Sequence, residues 1–488
     1  MNRTANSGIL KLHAVDNVAV ALADLPAGTP LGDGLVSTLG PIPLGHKVAL
    51  AEIAAGAPVV KCAHPIGLAA GPIAPGEHVH IHNVSELPGG FGGVPRGAGS
   101  QAGREQGTTP TPRTFPGFRR PDGRIGTRNY IGVLTTVNCS ATVARRIAAA
   151  FSGPDGLAGF PNVDGVVAFT HPTGCAMDRN SEGYAVLERV TTGYLAHSNF
   201  GAVLLIGLGC EVNQGAAYGR QGNDDRPFAF YNIQDSGGTT AAIADGVAKI
   251  KAFLPRVNAT HREPVPVSGL KVGLQCGGSD AFSVISANPA LGCAAEMLAS
   301  WGGTAILSET PEVASGAEGL LQRCASQSGA DALRRRFQWW RDYTQRHGTA
   351  MEKNPAPGNI AGGITTLAEK ALGAIAKGGS GPVMEVREYA EPVDGPGLVF
   401  MDSPGFDPVS ATGQIAAGAN LICFTTGRGS TFGSIPAPCI KLASNTPMYR
   451  HMQDDMDLNC GAIVDGTASL EETGAHIADM MLKVAGGV

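Results

Sequence analysis

The chain has 488 residues, of which 43% are hydrophobic and 16% charged, with a formal net charge of -5. That length exceeds one ordinary hydrophobic core and predicts two to four domains. No apolar run is long enough to span a bilayer, and a net negative charge without a basic run argues against nucleic acid as a partner.

The first segment, to about Val84, carries the short β-like pieces "NVAVAL", "HKVALAEI", "PVVKCA" and "HVHIHNV", separated by turn sequences such as "LPAGTPLGDG" and "IAPGE". Short strands with Gly/Pro punctuation predict a small all-β module over residues 1–85. Its last piece sets His78, His80 and His82 at alternate positions. A strand would project them from one face, as a metal or acid–base site requires, or leave them as a solvated edge. The segment "PGGFGGVPRGAGSQAGREQGTTPTP" then predicts a flexible linker over 86–114.

Beyond it, strands alternate with helices. "NYIGVLTTVNC" precedes "SATVARRIAAAF", "VDGVVAFTHPTGC" precedes "SEGYAVLERVTTGYLAHS", and "FGAVLLIGLGC" follows. After about residue 255 come "GLKVGLQCGGSD", the helical "PALGCAAEMLASWG", and then "TAILSETPE", "GLVFMDSPG", "ANLICFTTGRG", "PCIKLASN" and "AIVDG". Strands that are apolar throughout predict parallel sheets covered on both faces. The expectation is two Rossmann-like α/β units, 115–255 and 256–488, with ligands beyond the carboxyl ends of their strands.

Candidate chemistry clusters at those strand ends. The ten cysteines are dispersed with no CxxC pair, and the N-terminus has no signal-peptide pattern. Reduced thiols and a cytoplasmic location are therefore expected. Cys139, Cys175 and Cys210 each follow an apolar strand, as ligands of a soft metal or an iron–sulfur cluster would. Burial as small hydrophobes is the alternative. The loops "QCGGSD" and "FTTGRGSTFG" offer backbone N–H groups, including those of Gly277, Gly278 and Ser279, to an anion. No P-loop or complete dinucleotide fingerprint is present. A carboxylate fits better, with Arg428 and Lys441 as cationic partners. Asp280 and Glu309 are strand-end carboxylates suited to proton transfer or to metal binding, with helix N-capping for Asp280 and a buried ion pair for Glu309 as the ordinary alternatives.

Taken together, "VHIHN", "PDGRIGTRNY", "HPTGC", "GLGCE", "CGGSDAFS", "NPAPGNIAGGITTL", "TTGRGSTFG" and "DMDLNCG" resemble the altronate and galactarate dehydratase family. The resemblance implies an N-terminal SAF (β-clip) domain and a hydro-lyase that turns a sugar acid into a 2-keto-3-deoxy acid. It further implies ferrous iron as cofactor, with manganese as a substitute or an iron–sulfur cluster in its place, and a homo-oligomer. Within it, Cys139, Cys175 and Cys210, with His80 or His82 from the SAF domain, are the expected metal ligands. Arg428, Lys441 and the Gly277–Ser279 loop would hold the substrate, and His171, Asp280 or Glu309 would move protons. The catalytic region is also similar to sulfolactate sulfo-lyases, and a sugar-acid-binding protein without catalysis is the reading from another class.

Overall fold

Residues 8–32, 34–87, 113–153, 155–219, 225–351 and 355–488 are described by the structure, a computed structural model. Most of the linker expectation, 88–112, lies outside them. The first segment forms antiparallel sheets of short strands. Ile9–Leu10, Val18–Ala21, Lys47–Ala49 and His78–Val79 make one, and Pro58–Lys61, His64–Ala69 and Val84–Ser85 another. It closes a small cluster of its own around Ile9, Leu25, Leu31, Ile42 and Val48, but its other apolar side chains face outward from that cluster. Val18, Ile53, Val59, Ile66 and Ile73 share one buried cluster with Val272, Leu274, Leu291 and Ile375 of the C-terminal unit. The β module is therefore fused to that unit through its hydrophobic core.

The middle unit holds a four-stranded parallel sheet in the order Gly165–Phe169, Tyr130–Thr135, Phe200–Gly207, Phe228–Asn232. One face is covered by helices Ala141–Ala149 and Thr239–Asn258, whose apolar stripes pack on Ile131, Val133, Leu204 and Ile206. The other face shares a cluster with the next unit, in which Tyr194 and Phe200 meet Ile415 and Ile422.

The C-terminal unit holds a seven-stranded, all-parallel sheet. Numbered by chain position within the sheet, its strands run 3-4-2-1-5-6-7. Strand 1 is Lys271–Cys276 and strand 5 is Leu421–Thr426, directly beside it. Strands 2–4 lie to one side of strand 1 and strands 6 and 7 lie beyond strand 5, so the chain changes sides at the gap between strands 1 and 5. The run "AIVDG", expected as a strand, is instead the short helix Ala462–Asp465. Leu458–Asn459 closes the sheet, because a three-residue apolar run does not by itself distinguish helix from strand.

His197 joins the two α/β units. It is 2% exposed; its Nε2 donates to Ala419 O at 3.0 Å, and Asn199 N donates to its Nδ1 at 3.1 Å. Burial pushes it down to about 3 from an ordinary 6.5, with the Arg226 guanidinium acting in the same direction. The stability that neutral His197 contributes is complete above pH 6.5 and is lost as pH falls from there toward 3. Acidification from pH 7 to 5 is expected to cost about 2 kcal/mol at this site. Thermal midpoints of the parent and of His197→Asn at the two pH values check this, the variant showing the flatter profile.

Candidate active site

At the gap between strands 1 and 5, the chain leaves Cys276 through Gly277, Gly278, Ser279 and Asp280, and leaves Thr426 through Gly427 and Arg428. Gly278 sits at φ 60, a left-handed conformation suited to glycine, and its carbonyl accepts the N–H groups of Gly427 (3.1 Å) and Arg428 (2.7 Å). Among the described residues no acceptor pairs with the N–H groups of Gly278 and Ser279, which remain available to an anion. A Cβ at Gly277 would collide with Asp407 Oδ2, so the chain can pass here only without a side chain. Arg428 is exposed, its Cδ lying over Gly362. Lys441 is half-buried and donates through Nζ to Ser430 O at 3.0 Å, bracing the same loop.

Asp280 is buried at the centre of this crevice. Its Oδ1 accepts from Ser283 N (2.9 Å), Ser283 Oγ (2.8 Å) and Ser444 Oγ (2.8 Å), and its Oδ2 from Asn445 Nδ2 (2.9 Å). Burial raises its pKa above the ordinary carboxylate value, against the pull of these donors. The carboxyl thus ties the loop after strand 1 to the end of strand 6, and Asn445 Nδ2 donates in turn to Gly427 O after strand 5 at 2.9 Å.

The β module covers the crevice with histidines. His46, His78 and His80 bring ring nitrogens within 4.8 Å of one another, with His46 Nδ1 and His78 Nε2 3.0 Å apart. The strand that was expected to display His78, His80 and His82 stops at Val79. Asn83 turns the chain, its Oδ1 accepting His80 N at 2.9 Å, so the imidazoles gather across a turn. His46 escaped the sequence reading. It precedes the strand Lys47–Ala49, whose antiparallel register (Lys47 opposite Val79, Val48 opposite His78) carries it to the other histidines. Burial, reinforced by neighbouring His46, pushes His78 down to about 4 and His80 to about 3. Burial lowers His46 too, so all three rings favour the neutral form, which is the one that ligates metals. His80 Nδ1 is buried without a hydrogen-bond partner, an expensive orphan that a metal ion would satisfy. His82 is exposed, its ring centroid 5.4 Å from that of His78.

A turn in the segment "PGNIAGG" joins the histidines to the crevice. His46 Nε2 lies 3.3 Å from Ala361 O, Gly362 O accepts Ala281 N at 2.9 Å, and Asn359 Nδ2 donates to Ser279 O at 2.8 Å. Beneath it, Glu369 accepts from Lys47 Nζ at 2.9 Å and from Lys61 Nζ at 2.8 Å, all three residues being buried. Lys47 also donates to Gly363 O (2.6 Å) and Lys61 to Ala281 O (3.1 Å). This ionic post fixes the module, and with it His46, over Asp280.

The middle unit arranges the strand-end cysteines on loops that are bonded to one another. Asn138 N donates to Thr173 O (3.0 Å), Val212 N to Cys175 O (2.9 Å) and Asn213 N to Gly174 O (3.1 Å). Cys139, Cys175 and Cys210 are all exposed, and Gln234 Nε2 donates to Cys210 Sγ at 3.4 Å. His171 is half-buried, its Nε2 3.0 Å from Thr135 O. No hydrogen bond or ring contact among the described residues joins His80 or His82 to these thiols. Glu309 lies elsewhere again, 1% exposed behind Cys276 with Lys377 Nζ 3.2 Å from its Oε2.

A glycine loop with free N–H groups at a parallel-sheet switch point, beside an imidazole cluster able to hold a metal, makes a candidate enzyme site. The chain matches the altronate/galactarate dehydratase SAF domain over residues 7–87. It matches the D-galactarate dehydratase/altronate hydrolase second domain over 117–258 and the D-galactarate/altronate dehydratase C-terminal domain over 267–488. It is 34% identical to altronate dehydratase of Bacillus subtilis strain 168, covering 98% of this chain and 95% of that protein. Identity to the L-threo-forming galactarate dehydratase of Escherichia coli K12 is 35%, covering 99% and 94%. Identity to (2R)-sulfolactate sulfo-lyase subunit beta of Chromohalobacter salexigens is 32%, covering 77% and 93%. The chain belongs to the altronate and galactarate dehydratase family and is a carbon–oxygen lyase of the hydro-lyase type. No helix among the described residues is long and apolar enough to cross a membrane.

Proposed function

We propose that the chain dehydrates an aldonic or aldaric acid, such as altronate, galactonate or galactarate, to a 2-keto-3-deoxy acid in the crevice between the histidine cluster and Gly277–Asp280. The observation that carries this reading is that His46, clustered with His78 and His80, reaches Ala361 O in the Asn359–Gly363 segment, which also bonds to Ser279 and Ala281. The substrate carboxylate is received by the N–H groups of Gly278 and Ser279 and by the Arg428 guanidinium. Lys441 holds the Arg428 loop. The proton on C2 is weakly acidic until that carboxylate is stabilised as an aci-carboxylate, and His82, the exposed imidazole beside the cluster, would take it. Asp280 keeps the strand ends in register. A ferrous ion, or manganese in its place, held by His46, His78 and His80 would supply the Lewis acidity that hydroxide departure from C3 needs. The resulting enol tautomerises to the keto acid.

A second reading places iron on Cys139, Cys175 and Cys210 as a cluster, with His171 nearby for proton transfer. It is favoured by the exposure of all three thiols on loops bonded to one another. A cluster spreads its thiolates over separate irons and does not need the close ligand spacing of a single ion. Under this reading Cys175→Ser loses at least tenfold in kcat and its iron spectrum in anaerobically prepared protein; full activity would remove the thiols from the mechanism. Altronate, galactonate, galactarate and sulfolactate, each assayed for keto product and for sulfite with added ferrous iron, test the reaction itself. Keto product from a sugar acid supports dehydration. Sulfite from sulfolactate alone points to the sulfo-lyase, and ligand-induced stabilisation with no product points to a binding protein.

A further inference from the structure

Behind the anion loop lies a second cluster that the proposed chemistry does not use. Cys276, at the end of strand 1, and Glu309 and Glu312, after the strand Thr304–Leu307, are all buried. Each offers a ligand atom within 4.8 Å of the other two. Lys377 Nζ lies 3.1 Å from Cys276 Sγ and 3.2 Å from Glu309 Oε2, and Lys370 Nζ lies 2.7 Å from Glu312 Oε1. Asp407 joins from the start of helix Asp407–Ala416, with its Oδ2 against Gly277.

We propose that Cys276, Glu309 and Glu312 bind one divalent transition-metal ion, distinct from the histidine site, that fixes the Gly277–Asp280 loop from behind. Three observations carry this. Glu309 is 1% exposed, and its Oε1 has no hydrogen-bond partner; a carboxylate oxygen left bare in the interior is costly unless a proton or a cation occupies it. Four acidic groups (Cys276, Glu309, Glu312, Asp407) face only two ammonium groups (Lys370, Lys377), so a dication would balance the cluster with all four ionised. Finally, Glu309 is held at φ 73, ψ 59, a left-handed conformation that L side chains rarely adopt. Ser403 secures it, its Oγ accepting Glu309 N and its carbonyl accepting Thr310 N, both at 3.0 Å. Strain of this kind persists where surrounding structure holds a side chain to a task. One sulfur and two carboxylates suit zinc, iron or cobalt better than magnesium or calcium. The ion would be built in during folding, and its effect on the reaction would be one of position, since Gly277 follows Cys276 directly.

Cobalt(II) is the probe, because a thiolate ligand gives it a near-ultraviolet charge-transfer absorption. The full-length protein is prepared from cobalt-supplemented cells in a background where Cys139, Cys175 and Cys210 are serine, so that the exposed thiols cannot contribute. The expected result is that absorption, its loss on further Cys276→Ser replacement, and one cobalt fewer per chain in Glu309→Gln. Glu309→Gln preserves size and decides the matter if the Cys276 variant does not fold. Absence of the absorption together with unchanged cobalt content in Glu309→Gln would overturn the proposal and leave the cluster as a protonated network. Neither outcome depends on which substrate the enzyme takes.

Discussion

Replacement of His80 by alanine is expected to lower kcat about 10³-fold, roughly 4 kcal/mol of transition-state stabilisation, with loss of bound metal and a smaller change in KM. His80 carries the buried ring nitrogen without a partner, and its ring centroid lies 4.6 Å from that of His46 and 5.4 Å from that of His78. Removing it leaves two imidazoles, too few to retain an ion, while Gly278, Ser279 and Arg428 still receive the carboxylate. The split between kcat and KM follows from that division of labour. Metal content and steady-state kinetics on the same preparation check it, with His13→Ala as the control because His13 lies outside the histidine cluster. Wild-type kcat with full metal content in His80→Ala would remove the histidine cluster from the mechanism.

The largest effect on stability is expected at Glu369. Its carboxylate is the acidic partner of both Lys47 and Lys61, which are 0% and 2% exposed. The Lys47 pKa is already lowered to about 8, chiefly by burial. Glu369→Ala leaves two buried ammonium groups without their counterion and is expected to cost about 3–5 kcal/mol, read as a fall in the denaturant midpoint. Apolar replacement of all three residues should recover much of the loss, because the desolvation penalty disappears together with the charges. The two lysines hold the Glu369 carboxyl well below its ordinary 4.5 despite burial. The stability it contributes is therefore complete above pH 4.5 and is lost as pH falls below that value. The same variant should lose activity before it unfolds, since Lys47 is the neighbour of His46 and bonds to Gly363 O.

The parallel sheets were legible because strands such as "AVLLIG" and "LICFTT" are continuous, almost wholly apolar runs and not alternating ones, the pattern of strands covered on both faces. The glycine loops at the strand ends were legible for the same reason, since glycines directly after such strands mark the carboxyl edge of the sheet. What pairing decides was not legible. His46 reaches His78 across 32 residues through a register that nothing local announces. Lys47 and Lys61 meet Glu369 across 322 and 308 residues. The alternation of His78, His80 and His82 suggested a strand face, but Asn83 competes for the backbone and makes a turn. Asp280 could be placed at a strand end from the sequence; its bonds to Ser444 and Asn445 required the strand order.

The central claim, that this crevice removes water across C2 and C3 of a sugar acid, is tested most directly by turnover of altronate in D2O with ferrous iron, followed by NMR. The account predicts a 2-keto-3-deoxy acid carrying one solvent deuteron at C3, delivered when the enol tautomerises, and its absence with His80→Ala. Tight binding of altronate, galactonate and galactarate with no keto product from any of them would contradict it.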